Sequence, residues 1–227
     1  MVSPSLLDDI KALSDKYSTE YKNKKFQLLS KYQFQVLIGV TLGDAHVKRT
    51  NPNYNTSICF EQSLAHESYL RYLYDIFKDL VGTPPMSPKR KPHKVTGKIY
   101  PSLRFSTLSF DSLNIFHELF YNTGKKGVPH NISDYFTEIS FAFWIMDDGT
   151  WSKANKSLRI CTESFTYSDI LILIDMFKTK FDIKATAQKR KTGVDGWRIN
   201  ISNSEMDKVR NLIKPHMLPE MLYKLGL

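Results

Sequence analysis

Cysteine is nearly absent from this chain of 227 residues, Cys59 and Cys161 being the two it has. Thiols so far apart make neither a disulfide framework nor a zinc-ligand spacing, and the six histidines fall without a ligand pattern. Buried thiols in a reducing compartment are therefore expected. Long apolar runs are also lacking: none approaches the roughly 18 residues of a membrane-spanning helix. The opening MVSPSLLDDIKAL has neither the apolar core of a signal peptide nor the basic, acid-poor character of a transit peptide, so the chain is expected to be soluble where it is made. Acidic residues are in deficit, 23 Asp and Glu against 32 Lys and Arg, for a formal net charge of +9. That balance suits a polyanion, either nucleic acid or an anionic membrane surface. With 41% hydrophobic and 13% aromatic residues, disorder is excluded. The length allows one large domain or two of about 110 residues, and either can bury a proper core.

What is present is best entered at residues 143–151, FWIMDDGTW. The chain is uncharged from Ile139 to Met146 and then meets Asp147, Asp148 and Gly149. An apolar run stopped by glycine is a buried helix with its C-terminal signal. The aspartates are the anomaly, because the carbonyl end of a helix is partly negative and favours cations.

The anomaly occurs twice. The KRK at 89–91 recurs at 189–191, and Asp75-Ile76-Phe77-Lys78 recurs as Asp175-Met176-Phe177-Lys178, both 100 residues on. Ser57-Ile58-Cys59-Phe60-Glu61 resembles Ile160-Cys161-Thr162-Glu163, with the cysteines 102 apart. Ordered matches at a nearly constant offset signal an internal duplication. Followed backwards, the register sets Asp148 against Asp44, 104 residues earlier, in LIGVTLGDA at 37–45. This copy is uncharged from Tyr32 to Gly43, and both copies are apolar nearly all round, the pattern of helices buried on more than one side. Gly39 and Gly43 share a helix face and let another backbone come close. The natural partner is the other copy, with Ala142 contributing a small residue.

Each half then reads in the same order. Helix 32–44 precedes strands 46–50 and 56–62, helix 66–81, a hairpin over 87–107 and helix 110–122. Helix 134–148 precedes strands 150–153 and 157–163, helix 166–181, a hairpin over 183–202 and helix 204–214. The expected class is α+β, an αββαββα unit occurring twice. Residues 1–30 form an appended arm, 31–122 the first repeat, TGKKGVPHN at 123–131 a turn-rich linker, and 132–227 the second repeat.

Period-two alternation shows which sheet face is wet. Ser102, Arg104 and Ser106 alternate with Leu103 and Phe105, while Arg198, Asn200 and Ser202 alternate with Ile199 and Ile201. Any half-buried sheet does this; the bias in charge is the added information. Lys48, Arg49, Lys89, Arg90, Lys91, Lys94, Lys98, Arg104, Lys153, Arg159, Lys184, Lys189, Arg190, Lys191 and Arg198 all fall on these strands or their hairpins, against Glu61, Glu163 and Asp195. A nucleic-acid surface is expected there, with Asn200 among its contacts.

If the two helices pack as twins, Asp44 and Asp148 emerge together near a pseudo-two-fold axis. Carboxylates about 4 Å apart repel by roughly 4 kcal/mol at an effective dielectric of about 20. A divalent cation reverses that sign. Mg²⁺ suits a site of one or two carboxylates completed by water and substrate phosphate oxygens, and such sites support in-line phosphodiester hydrolysis. Asp147 faces Gly43 in the repeat alignment and has no acidic counterpart, so symmetry favours Asp148 as the ligand. The bland alternative is that Asp44 and Asp148 cap turns or meet a lysine.

LIGVTLGDA and FAFWIMDDG resemble degenerate copies of the signature of the LAGLIDADG homing endonucleases, in particular the single-chain, two-repeat branch encoded in organellar introns. The resemblance covers about residues 32–225 and rests on the two motifs, the repeat order and the flanking GKKGVP and PEMLYKL segments. It implies a saddle of two antiparallel sheets straddling duplex DNA, with the signature helices at the domain interface and divalent metal on Asp44 and Asp148. It also implies a basic residue near each cleaved phosphate, matched by Lys126 and Lys224, and a polar residue ending the second strand, matched by Glu61 or Gln62 in one half and Glu163 in the other. The implied activity is Mg²⁺-dependent cleavage of both strands of a long non-palindromic site by a mitochondrial monomer. Mn²⁺ would substitute, and Ca²⁺ would bind without supporting cleavage. An intron RNA maturase, or a DNA-binding protein that no longer cuts, is the alternative. The departures are Ala45 for the terminal glycine, the loss of an acid in the first motif, and bulky Phe143 and Trp144 in the second, which predict an asymmetric and less closely crossed helix pair.

Overall fold

The computed structural model describes residues 29–92, 95–190 and 196–227, so the expected arm falls outside it but for Leu29 and Ser30. Helix α1 spans Lys31–Leu42 and starts at a capping box, in which Gln33 N–H donates to Ser30 Oγ at 3.1 Å and Ser30 N–H to Gln33 Oε1 at 2.9 Å. Strands β1 (His46–Lys48) and β2 (Ser57–Ser63), helix α2 (Glu67–Phe77), strand β3 (Ser102–Ser106) and helix α3 (Asn114–Phe120) complete this half. The short α4 (Ile132–Tyr135) leads into α5 (Glu138–Asp148), β4 (Gly149–Ser152), β5 (Ser157–Ile160), α6 (Tyr167–Phe181), β6 (Ala185–Lys189), β7 (Trp197–Ile201) and α7 (Met206–Ile213). A tight 3₁₀ segment, Pro219–Leu225, ends the chain. The two sheets are antiparallel, ordered β1-β2-β3 and β4-β5-β7-β6.

The first sheet is one strand smaller than the sequence predicts. Of the hairpin expected over 87–107, only the returning arm, β3, forms among the described residues; its partner is reduced to a single bridge in which Met86 and Arg104 exchange bonds of 2.9 and 3.0 Å. Pro84, Pro85, Pro88 and Pro92 crowd that arm, and a proline cannot donate to a ladder. The second hairpin lacks such prolines and pairs over five positions.

The ladders also correct the repeat alignment. His46 pairs with Cys59 and Thr150 with Arg159, so with Asp44 set against Asp148 the equivalent of Cys59 is Arg159, not Cys161. The connection between β1 and β2 runs over 49–56 and that between β4 and β5 over 153–156, which shortens the offset from 104 to 100. Gln62 is thereby matched by Thr162, and Glu61 by Cys161.

Helices α1 and α5 cross at the centre. Every residue from Phe34 to Leu42 and from Ser140 to Met146 is buried, as the uncharged runs require. A Cβ added at Gly39 would lie 3.0 Å from the Ser140 carbonyl carbon and closer still to its oxygen. Ser140 Oγ donates to Gln35 O across the crossing at 2.8 Å. The small residue of the second copy is thus Ser140 rather than Ala142, and the crossing is close despite Phe143 and Trp144. Phe143 lies against Tyr72 with ring centroids 6.0 Å apart, and Trp144 stacks on Phe177 at 6.0 Å and meets Phe136 edge-on. Trp144 thus fills the second half's core, while Phe143 packs among Tyr32, Tyr69 and Tyr72 of the first half.

Candidate active site

The helix ends resolve the opening anomaly. Lys126 Nζ donates to Gly43 O at 2.5 Å, and Lys224 Nζ donates to Met146 O at 2.5 Å and Asp147 O at 2.8 Å. Each lysine caps the carbonyl end of one signature helix, supplying the cation that a helix C-terminus favours. Lys224 is 5% exposed. Burial pulls both ammonium groups below the ordinary lysine range, while the surrounding aspartates oppose that pull.

Asp147 is the residue that symmetry passed over. Its carboxylate crosses to the other helix and accepts Asp44 N–H at 3.1 Å and Gln62 Nε2 at 3.2 Å. Gly43 makes that possible, since a Cβ there would sit 2.6 Å from Asp147 Cβ and 2.8 Å from its Cγ. Positions 43 and 147 are equivalent in the repeat and share one volume, so only one can carry a side chain. Burial, then the charges of Asp44 and Asp148, push the Asp147 carboxyl well above the carboxylate range.

Asp148 accepts Trp144 Nε1 at 3.3 Å. Burial and the Asp44 charge raise its carboxyl to about 7, against the pull of Lys126, the Trp144 bond and Lys224. A carboxyl raised on folding favours the folded state while protonated, so this stabilisation is full below the unfolded value near 4 and is lost as pH rises through about 7. Through this carboxyl the metal-free chain should lose thermal stability between pH 4 and 7, and a millimolar divalent cation should restore it at pH 7. Calorimetry with and without EDTA checks this; a flat profile would contradict it.

Of the strand-end candidates, Gln62 reaches the centre: its Nε2 also donates to Asp44 Oδ2 at 2.8 Å. Glu61 and Glu163 do not, because both are held by arginines. Glu61 is ion-paired to Arg90 and accepts Ser102 Oγ at 2.5 Å. Glu163 accepts Arg190 Nη1 at 3.1 Å and Arg198 Nε at 2.5 Å, bonds that outweigh its desolvation and hold its carboxyl below the usual range. Thr162, the equivalent of Gln62, is turned away and donates to Trp197 O at 2.8 Å. His66, which no sequence motif singles out, borders this centre. Its Nε2 lies 3.4 Å from Tyr223 Oη, and it feels the charges of Lys224 and Asp44.

The sheet cations differ in exposure. Lys48, Lys89, Lys91, Lys98, Arg104, Lys153, Lys184 and Lys189 are exposed. Arg49 instead clamps its own loop, donating to Tyr54 O at 2.9 Å and Pro52 O at 2.7 Å and pairing with Glu118. Lys94, Lys191 and Asp195 lie outside the described residues. Arg159 and Asn200 are ladder partners on the two inner strands of the second sheet and line a polar hollow of about 310 Å³ with Ser157, Thr186 and Gln188. Arg159 Nε is buried there without a partner among the described residues. A second hollow, of about 410 Å³, opens beside Lys48 on the first sheet.

As a metal site, the centre is open on one side. Among the described residues no group of three or more His, Cys, Asp or Glu could hold an ion by itself. The three aspartates are neighbours, but Asp147 is occupied by Asp44 N–H and Gln62. That leaves Asp44, which is exposed, and Asp148, two hard oxygen donors whose charges oppose each other. This set fits a hard divalent cation that draws its remaining ligands from water and a bound phosphate.

The model of the LAGLIDADG DNA endonuclease family matches residues 34–209. A probable intron-encoded endonuclease of Wickerhamomyces canadensis is 32% identical, the match covering 93% of this chain and 91% of that protein. Cytochrome b mRNA maturase bI2 of Debaryomyces hansenii is also 32% identical, over 87% of this chain and 75% of its own. The structure of the homing endonuclease I-WcaI bound to its DNA recognition sequence superposes with a TM-score of 0.81 at 30% identity, covering 88% of each chain.

Proposed function

From its membership of the LAGLIDADG DNA endonuclease family, to which this chain belongs, we propose that it is a monomeric homing endonuclease that cuts both strands of a long, non-palindromic DNA site using Mg²⁺. The observation that carries this reading is the joining of two acid-ended helices at their C-termini, each capped by a lysine and flanked by basic sheet faces. The domain limits 31–122 and 132–227 and an organellar origin belong to the same proposal.

In this reading Asp44 and Asp148 hold the cation. When bound, the cation supplies charge neutralisation at the scissile phosphate and a more acidic water. Lys126 and Lys224 keep the helix ends electrically tolerable for two carboxylates and place positive charge beside the developing negative charge of the transition state. Arg159, Asn200, Gln188 and Arg104 read base edges in the major groove, while Lys48, Lys89, Lys98, Lys153 and Lys184 meet phosphates. Lys126→Ala or Lys224→Ala is expected to slow cleavage by roughly 10²-fold, with the folded state retained by circular dichroism; an unchanged rate would make them structural caps only.

A second reading has its own support, the 32% identity to an mRNA maturase. A plasmid carrying the uninterrupted host gene, incubated with and without Mg²⁺, separates the two. Linear product only with metal supports the endonuclease, whereas intact DNA with tight intron-RNA binding supports a maturase.

A further inference from the structure

We infer that the connection between β1 and β2, residues 49–56, is a rigid loop that reads the outer end of the DNA beneath the first sheet through Tyr54, and that Arg49 is its positioning residue, not a phosphate contact. The inference rests on the endonuclease reading and adds to it where one end of the site is read and by which side chains.

Strand β2 sets the distance. Gln62 stands at the cleavage centre and Ser57 at the far end of the same strand. At about 3.3 Å per residue the loop starts roughly 17 Å from the centre, about five base pairs along a duplex. Residues 49–56 carry β1 into β2, whereas the shorter 153–156 suffices in the second half. A loop of that length holds one shape only where its backbone groups find partners. Arg49 provides them: its Nε donates to Tyr54 O at 2.9 Å and its Nη2 to Pro52 O at 2.7 Å, while Nη1 pairs with Glu118 of α3 at 3.3 Å. With its side chain 17% exposed, the guanidinium is turned into the loop and away from a duplex. Asn114, which opens α3, fixes the other end, its Oδ1 accepting Thr56 N–H at 2.9 Å and its Nδ2 donating to Asn55 Oδ1 at 3.3 Å. Asn51 closes the tip, accepting Asn53 N–H on Oδ1 and Tyr54 N–H on its carbonyl, each at 2.9 Å. This frame presents Tyr54, 62% exposed, at the hollow of about 410 Å³ that Lys48, Asn53, Asn55 and Ser57 also line. A tyrosine ring gives a large contact at little entropic cost, and amides beside it can reach base edges while Lys48 meets phosphate. Held in this way, the loop arrives at the duplex already shaped.

The test is fluorescence anisotropy in Ca²⁺ with the full chain and a labelled duplex spanning the exon junction of the uninterrupted host gene, each base pair being changed in turn. For the parent, changes about five or more base pairs from the centre on one side should each weaken binding about tenfold. Tyr54→Ala and Arg49→Ala should each shrink those penalties to about twofold and leave the penalties elsewhere at parental size, which a misfolded variant would not do. The double variant should be no worse than either alone, because the two residues form one device. Salt separates positioning from direct contact. Arg49→Ala should keep the parental slope of log affinity against log salt, whereas Lys48→Ala should make it shallower by about 0.9. Arg49→Lys should behave like the alanine variant, since one ammonium cannot reproduce the planar fork that spans three acceptors. No penalties at that end in the parent, full penalties in Tyr54→Ala, a shallower slope in Arg49→Ala, or recovery by lysine would each overturn the inference while leaving the endonuclease reading standing. A parent that neither binds the junction duplex nor cuts it with Mg²⁺ or Mn²⁺ would remove that reading, and the inference with it.

Discussion

Asp44→Asn and Asp148→Asn are each expected to lower double-strand cleavage by at least about 10³-fold, equivalent to roughly 4 kcal/mol of transition-state stabilisation. Affinity for the uncut duplex should stay within about threefold, because phosphate and base contacts on the sheets carry binding. The amide keeps the volume and the Trp144 contact of Asp148 but withdraws the negative charge that a hard cation needs. Stability separates this outcome from simple damage. Burial and the charge of Asp44 are what raise the Asp148 carboxyl to about 7, so removing either charge relieves repulsion in the metal-free state. Both variants should melt no lower than the parent at pH 7 without metal, and should lose any stabilisation that a divalent cation gives the parent. Normal cleavage by both would dispose of the metal assignment; a large fall in melting temperature would show that the carboxylates are structural.

The sequence carried the pieces that depend on local pattern. Apolar runs ending in Asp44 and Asp148, alternation in β3 and β7, and the lysines of GKKGVP and MLYKL are all visible along the chain, and the elements stand close to their expected limits. What it hid depends on which atoms meet across the crossing. Asp147 looked expendable because it lacked a twin, yet the twin position is glycine to make room for it, and the opposition of Gly43 to an acid was the available signal. The choice between Glu61 and Gln62 turns on strand phase. Gln62 shares the inward face with Phe60 and Ile58, whereas Glu61 lies on the open face beside Arg90. Matching Cys59 to Cys161 failed because a turn four residues shorter lay between the motif and the strand, and identity of residue type outweighed register. The missing first-sheet strand was legible too, in four prolines that period-two alternation alone does not weigh.

The scaffold variant with the largest expected loss is Gly39→Val, with Gly39→Ala as the milder step. At this position even a methyl group meets the Ser140 backbone, not the end of a flexible side chain, so the clash cannot be relieved by a rotamer change. Either α1 and α5 separate or the Ser140–Gln35 bond across the crossing breaks. Overpacking of a rigid core costs about 1–3 kcal/mol, and the β-branched residue should exceed that range. Against a total stability of about 5–15 kcal/mol, the valine variant should lose a large share of its stability while the alanine variant shows a smaller fall in urea midpoint. Gly127→Ala provides the control, since an added Cβ there meets nothing within 4 Å and the change should be nearly neutral. The helix crossing also sets the distance between the motif aspartates. The alanine variant should therefore lose cleavage more steeply than its stability alone accounts for, because a shift of about 1 Å at the reacting centre can cost roughly 10²-fold in rate. Assayed at a temperature where it is fully folded, an alanine variant with parental activity would show that the cation site tolerates a looser crossing, and would uncouple the packing of these helices from the chemistry at their ends.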